Sequence, residues 1–380
     1  MEALILKNAR HLIVGEIPSP RLADHEVLLR IDAAGTCGTD FHIYEGLSNY
    51  NLDKNQRPIS LEAQPQILGH EFSGTIKALG PAATRWKIGQ RAVADQVRTC
   101  VSEYRSPVCE FCESGDSHQC EHGAECGITG IQGAFAEYLA VPEANIIPIP
   151  DNLSALRAAL VEPLGCVLHA ADRAERSANR YRFIGPYPIR SVLILGGGPA
   201  GLLFLQYLRN IRKFDGRVVV ADRRQRNLEL AAQFGATAVD VREGDPAGLV
   251  LAANGGARFE FLIEATGNGR VFDWLPTVAR RQATLLLYGA GHGNLASGCL
   301  TPWQAMEFTI ATSAGASGSL GADGTPQTYA RALRAIVEGQ IDVEAIATHR
   351  YSSLEQLAQA FTRDCHNDEF VKGVMITRNQ

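Results

Sequence analysis

The chain has 380 residues, of which 46% are hydrophobic and 20% charged, and its formal net charge is −5. That length predicts two domains, each able to bury its own core. The mild acidity argues against nucleic acid or an anionic membrane as main partner, and no apolar run reaches the roughly 18 residues that suggest a membrane span.

Residues 1 to 8 lack a long apolar core and a small-residue cleavage site, so they read as a first strand and not a signal peptide. A soluble, cytoplasmic chain is expected. Residues 1 to about 150 read as mostly β, with short alternating runs such as 26 to 31 broken by Gly and Pro turns. Within this region Cys37 lies between Gly35-Thr36 and Gly38-Thr39-Asp40, and Gly69-His70-Glu71 follows. A long polar loop, 46 to 66, separates the two motifs; its Asn49, Tyr50, Asn51, Asp53 and Lys54 are expected to bond substrate hydroxyls. Nine cysteines are present, and five of them crowd between Cys100 and Cys126. Without a secretion signal, such crowding points to metal binding and not to a disulfide framework.

After Pro150 the texture changes. Residues 153 to 175 are rich in Ala and Leu at helical spacing and predict a connecting helix, which carries Glu162-Pro163-Leu164. Residues 177 to 190 lengthen the approach to an apolar strand at 191 to 195. Further strands are predicted at 217 to 221, 259 to 265 and 284 to 288, and helices at 202 to 210 and 225 to 234. This alternation implies a parallel, doubly wound sheet. A helix near 329 to 338 and a strand at 371 to 376 close the chain.

Gly196, Gly198 and Gly201, with Pro199 and Ala200 between the last two, form G-x-G-x-x-G directly after a strand and before a helix. The glycines allow a tight turn, close approach to a pyrophosphate and close packing of helix on strand. Asp222 lies 21 residues beyond Gly201, where an acid is expected to bind the adenosine ribose. The less favoured reading is a helix-capping aspartate, and the two roles are compatible. Arg223, Arg224 and Arg226 follow and read either as a solvated helix face or as partners for a 2′-phosphate.

Taken singly, Cys37 reads as a small buried hydrophobe, His70 as a core histidine and Glu162 as a helix-start acid. Together, and ahead of a nucleotide fold, they suggest a catalytic zinc with one position left open. Nearly end to end, the chain resembles the zinc-containing medium-chain dehydrogenases, the alcohol and polyol dehydrogenase family. The motifs are Gly35 to Asp40, Gly69 to Gly74, Glu162 to Leu164, the glycine fingerprint, and Glu264-Ala265-Thr266-Gly267. The resemblance implies an α/β fold: a GroES-like, mostly-β catalytic domain (1–155 and 301–380) plus a Rossmann nucleotide-binding domain (156–300), with catalysis in the cleft. It implies Cys37 and His70 as zinc ligands. Glu71 and Glu162 fall at positions that bind the metal directly or through its water, and family members differ in which does so. Thr39 matches the hydroxyl that accepts the alcohol proton, and His42 the histidine that passes it on. Without the motif these two read as a turn hydroxyl and a surface histidine. Thr266 and Gly267 join Asp222, Arg223 and the fingerprint as cofactor residues.

The family's structural zinc lobe reads C-x2-C-x2-C-x7-C. Cys109, Cys112 and Cys120 match its last three positions, while the first falls on Ser106. Cys100, on a lengthened loop, is expected to replace the missing ligand; Cys126, a three-cysteine site or no zinc are the alternatives. Cys166, Cys299 and Cys365 default to core packing. The expected activity is zinc-dependent hydride transfer between a secondary alcohol of a polyol or sugar and NAD, with NADP the less favoured cofactor. L-threonine 3-dehydrogenase activity is the nearest rival. A zinc-free quinone reductase or nucleotide-binding protein is the rival of another class. The resemblance also implies a homodimer or homotetramer, with contact expected along 295 to 319.

Overall fold

The computed structural model describes residues 1–293, 300–316 and 318–377. The chain divides into two compact units. One comprises Met1–Gly165, Gly315–Glu338 and Ala347–Gln380, the other Cys166–Ala314 and Gly339–Ile346. The first junction thus lies past the expected boundary at 155, inside the helix Val161–Arg176. The second lies past 301 because the strand Thr309–Thr312 pairs with Ala279–Leu287 and so belongs to the parallel sheet. No described helix is long and apolar enough to cross a membrane.

The first unit is built on a seven-stranded sheet. Its order is Ile146–Pro148, Arg91–Ala94, Glu71–Leu79, Glu26–Gly35, Gly373–Ile376 and His349–Tyr351, and Tyr138–Pro142 also pairs with Glu26–Gly35. All its pairings are antiparallel except that of Gly373–Ile376 with His349–Tyr351. Glu26–Gly35 sits between neighbours and is buried along most of its length, as its run of Val, Leu, Ile and Ala requires. Leu29, Ile31, Phe72, Phe135 and Phe361 fill the core. Phe41 and Tyr44 pack on the Phe361 ring with centroids 4.8 and 5.3 Å away, which anchors the short helix Gly38–Tyr44 against that core.

The second unit holds a six-stranded sheet, parallel throughout, in the order Thr237–Asp240, Arg217–Asp222, Ser191–Leu195, Phe259–Glu264, Ala279–Leu287, Thr309–Thr312. The order reverses beside Ser191–Leu195, the arrangement of a doubly wound nucleotide fold. Three sequence expectations change in detail. The connecting helix breaks at Leu160 into Ala155–Ala159 and Val161–Arg176. The fingerprint helix Pro199–Gln206 passes into a π-turn at Tyr207–Ile211. The last predicted interior strand begins earlier, at Ala279.

Candidate functional site

The strand Glu26–Gly35 delivers Cys37 to the start of the helix Gly38–Tyr44. Asp40 occupies the third helical position, from which its buried carboxylate reaches back to the Cys37 N–H at 2.8 Å. The other oxygen of Asp40 accepts from Gly69 N at 3.2 Å and lies 3.4 Å from His70 Nδ1. Gly69 has φ +94°, and a Cβ there would meet the Phe135 ring at 2.6 Å, so only glycine makes this turn. Asp40 thereby ties both motifs together. Sequence reading quoted it as part of a motif and gave it no role.

The result is convergence. Ligand atoms of Cys37, His70 and Glu71 all lie within 4.8 Å of one another. His70 and Glu71 are buried, and Cys37 forms the partly exposed side. Glu162 is buried in the first turn of Val161–Arg176 but is not a member of this close group among the described residues. Buried His70 Nδ1 and Glu71 Oε2 have no aligned hydrogen bond. A thiolate, an imidazole and a carboxylate brought together in this way fit zinc, with room for a further ligand. Burial disfavours the charged form of His70, yet Asp40 and Cys37 outweigh it and hold its pKa well above 6.5.

Lys372 was missed by sequence reasoning. Its ammonium lies 2.7 Å from Glu71 Oε1 and 2.6 Å from Oε2, and it donates to Thr36 O at 2.8 Å. Lys372 is 3% exposed and Glu71 0%, so the pair is shut away from water. Burial opposes the Lys372 charge, but Glu71, Cys37 and Glu162 raise its pKa, so it stays a cation. The signal was present: one lysine inside the apolar run from Phe370 to Met375.

Thr39 Oγ1 is 3.9 Å from Cys37 Sγ. His42, one turn on, is partly buried, and burial lowers its pKa. In the loop 46 to 66 Asn49 and Asp53 bond within the loop itself. Asn49 Nδ2 donates to Ile59 O, Asn49 Oδ1 accepts from Asn51 N, and Asp53 Oδ1 accepts from the N–H groups of Asn55 and Arg57. Asn51 is buried beside Gly130, and Tyr50 faces solvent.

Cys100, Cys109, Cys112 and Cys120 form a second group whose sulfurs lie within 4.8 Å of one another. Cys100 Sγ is 3.6 Å and Cys109 Sγ 3.9 Å from Cys120 Sγ. Cys126, buried elsewhere, is not in the group among the described residues. Cys109 is pulled to about 7, first by the Cys112 backbone N–H, while burial first of all pushes Cys112 up to about 12. Cys365 packs at the margin of the first core, and Cys299 lies outside the described residues.

In the second unit Gly196 ends Ser191–Leu195, and Gly198 precedes the helix Pro199–Gln206 with Pro199 in its first turn. A Cβ on Gly201 would fall 1.8 Å from Gly196 O, so the turn closes only with glycine. Beside Gly198 such an atom would meet nothing within 4 Å, which leaves that backbone open for an anion. Asp222 ends its strand; Oδ2 accepts from Gly197 N at 2.6 Å, and Oδ1 from Arg223 N and Arg224 N, each at 2.7 Å. Arg226 pairs with Glu229. At the next strand end, buried Glu264 accepts from Thr266 N at 2.7 Å and Gly267 N at 3.1 Å, and its second oxygen meets His292 Nε2 at 2.8 Å. Glu264 so orders the Thr266-Gly267 turn.

Known proteins agree with this construction. Residues 23–151 match the Alcohol dehydrogenase GroES-like domain, and residues 155–375 match the Glucose dehydrogenase C-terminus. The chain is 31% identical to L-galactonate-5-dehydrogenase of Escherichia coli K12, covering 99% of this chain and 98% of that one. It is 28% identical to L-threonine 3-dehydrogenase of Chromobacterium violaceum, covering 95% of each. An alcohol dehydrogenase of Escherichia coli CFT073, solved in complex with NADH, superposes with TM-score 0.78 at 25% identity over 99% of each chain. The chain belongs to the zinc-containing medium-chain alcohol and polyol dehydrogenase family.

Proposed function

We propose that the chain oxidises a secondary hydroxyl of a polyol, sugar or sugar acid, with NAD as preferred acceptor. The carrying observation is the convergence of Cys37, His70 and Glu71 within 4.8 Å in a chain that also bears a glycine fingerprint at the carboxyl edge of a parallel sheet. A zinc-free reductase would have no use for three converging donors, two of them buried, and metal analysis separates the two readings.

Cys37, His70 and Glu71 are the proposed protein ligands, with Glu162 a second carboxylate of the same unit. Zinc bound there supplies Lewis acidity that lowers the pKa of an alcohol, and the nicotinamide supplies the hydride acceptor. Asp40 orients His70 and holds the Cys37 turn. Lys372 fixes the Glu71 carboxylate and offsets its charge. Thr39 Oγ1 takes the alcohol proton, and His42, kept neutral by burial, accepts it and hands it toward solvent. Gly198 and the first turn of Pro199–Gln206 cradle the pyrophosphate, and Asp222 faces the ribose.

The likeness to the galactonate enzyme, higher in identity and coverage than that to the threonine enzyme, supports a polyhydroxylated substrate. A homodimer or homotetramer is part of the same proposal. The edge strand Thr309–Thr312 carries exposed Ile310, and much of the expected contact, 295 to 299 and Ser317, lies outside the described residues. The test is a side-by-side assay of sorbitol, inositol, L-galactonate, L-threonine and 2-butanol with NAD. The highest kcat/KM is expected on a polyhydroxylated substrate. Best activity on 2-butanol would sink the reading, and best activity on threonine would replace it with the rival.

A further inference from the structure

We infer that the amino-terminal edge of the six-stranded parallel sheet is a binding site for a small polyanion carrying two or more phosphate groups. An open cavity of about 1030 Å³ lies at this edge, and six arginines line it. Sheet topology puts five of them in a row. Arg217 opens one strand, Arg190 precedes the strand from Ser191, Arg258 precedes the strand from Phe259, and Arg280 and Arg281 lie at the start of Ala279–Leu287. These four strands are consecutive in the sheet. Neighbouring strands lie roughly 4.8 Å apart, so the row brings several guanidinium groups to one small cavity.

Within this row Arg280 pairs with Glu260 and Arg281 Nη1 donates to Ala305 O, and the other charges are not spent on the protein among the described residues. Two acids line the cavity, Asp215 and Glu260. Glu260 is 3% exposed and already accepts from Arg190 N, Ser191 N, Ser191 Oγ and Arg280 Nη1. Arg209 is a wall residue that donates to the carbonyls of Phe214, Gly216 and Gly235. Arg190, Arg217 and Arg258 are exposed and make no ion pair among the described residues. Like charges held so close repel one another, and the chain as a whole is acidic. Guanidinium groups grip phosphate oxygens two at a time, so a small polyphosphate supplies this row with both the opposite charge and paired acceptors.

The segment 177 to 190, which the dehydrogenase reading leaves unexplained, builds one wall. Backbone hydrogen bonds close it, from Ile189 N to Arg182 O at 2.9 Å and from Arg182 N to Tyr187 O at 3.0 Å. Phe183 packs against Phe214 and Phe261, with centroids 5.5 and 5.7 Å away. Tyr181 donates to Arg281 O at 3.3 Å and lies 5.1 Å from the Arg280 guanidinium. The fingerprint occupies the opposite, carboxyl edge of the sheet, so this is not the dinucleotide site. The concave shape and volume fit a small ligand better than a macromolecular surface.

The probe is inorganic tripolyphosphate, titrated calorimetrically into the full chain at about 0.15 M salt, where screening removes weak surface attraction. One site per chain is expected, with an affinity unchanged by saturating NADH. Arg190→Ala with Arg217→Ala should weaken it by on the order of tenfold or more while NADH binding stays the same; Arg190→Gln with Arg217→Gln serves if the alanine pair does not fold. Orthophosphate at equal ionic strength should bind far more weakly. Loss of tripolyphosphate binding when NADH is added, binding that survives both substituted pairs, or binding confined to an oligonucleotide would each overturn the inference.

Discussion

Glu71 and Lys372 form an ion pair without access to water, at the point where a metal would add its own charge. Removing one partner of such a pair costs about 3–5 kcal/mol, because the other charge is left uncompensated. Lys372→Met should therefore destabilise the metal-free protein by about that much. With zinc bound, the ion offsets the Glu71 charge and the loss should shrink. Melting temperatures with and without a chelator check this, and equal losses in both forms would separate Lys372 from the metal site. Asp222 is a second case where atoms decide. A carboxylate offers roughly four lone-pair sites, and backbone N–H groups of Gly197, Arg223 and Arg224 fill three of them. One ribose hydroxyl, and not the two a bare aspartate could hold, is the bond left to make. A 2′-phosphate would lose that bond and meet a negative charge, so kcat/KM should favour NAD over NADP by on the order of tenfold. A preference for NADP would transfer control to Arg223, Arg224 and Arg226. Cys37, His70 and Glu71 were legible because their motifs are local. Lys372 was not, because its partner lies 301 residues away along the chain.

Short elements do the positioning. The seven-residue helix Gly38–Tyr44 is too short to stand alone, and it is held by ring packing on Phe361 and by Asp40 at its start. The cysteine lobe is similar: Cys109 precedes and Cys112 lies in the four-residue helix Glu110–Glu113, and Cys120 follows the three-residue turn Ser117–Gln119. Four thiolates there would make a closed tetrahedral zinc site, and metal bound to it would supply folding energy. Purified protein should hold about two zinc ions per chain. Cys100→Ala should lower the second occupancy and the melting temperature more than the activity per folded molecule. Unchanged zinc content in that variant would remove Cys100 from the lobe. The interior strands Ser191–Leu195 and Phe259–Glu264 were readable as apolar runs because both faces are buried. Thr237–Asp240 and Thr309–Thr312 escaped notice because each is a short strand at a sheet edge, where periodicity is weak.

At the scale of the whole molecule, the proposed metal ligands belong to one compact unit and the glycine fingerprint to the other. The two functions should therefore respond separately to mutation. The two-unit architecture followed from a change of texture along the chain. The exact junctions did not, because Val161–Arg176 crosses one of them and the pairing of Thr309–Thr312 sets another. The most direct measurement is on Cys37→Ser: zinc content, NADH binding by fluorescence titration, and NAD reduction with the best alcohol from the panel. The substituted protein should lose one zinc and essentially all turnover while binding NADH nearly as the wild type does. Turnover close to wild type would contradict catalysis by a zinc held at Cys37, His70 and Glu71.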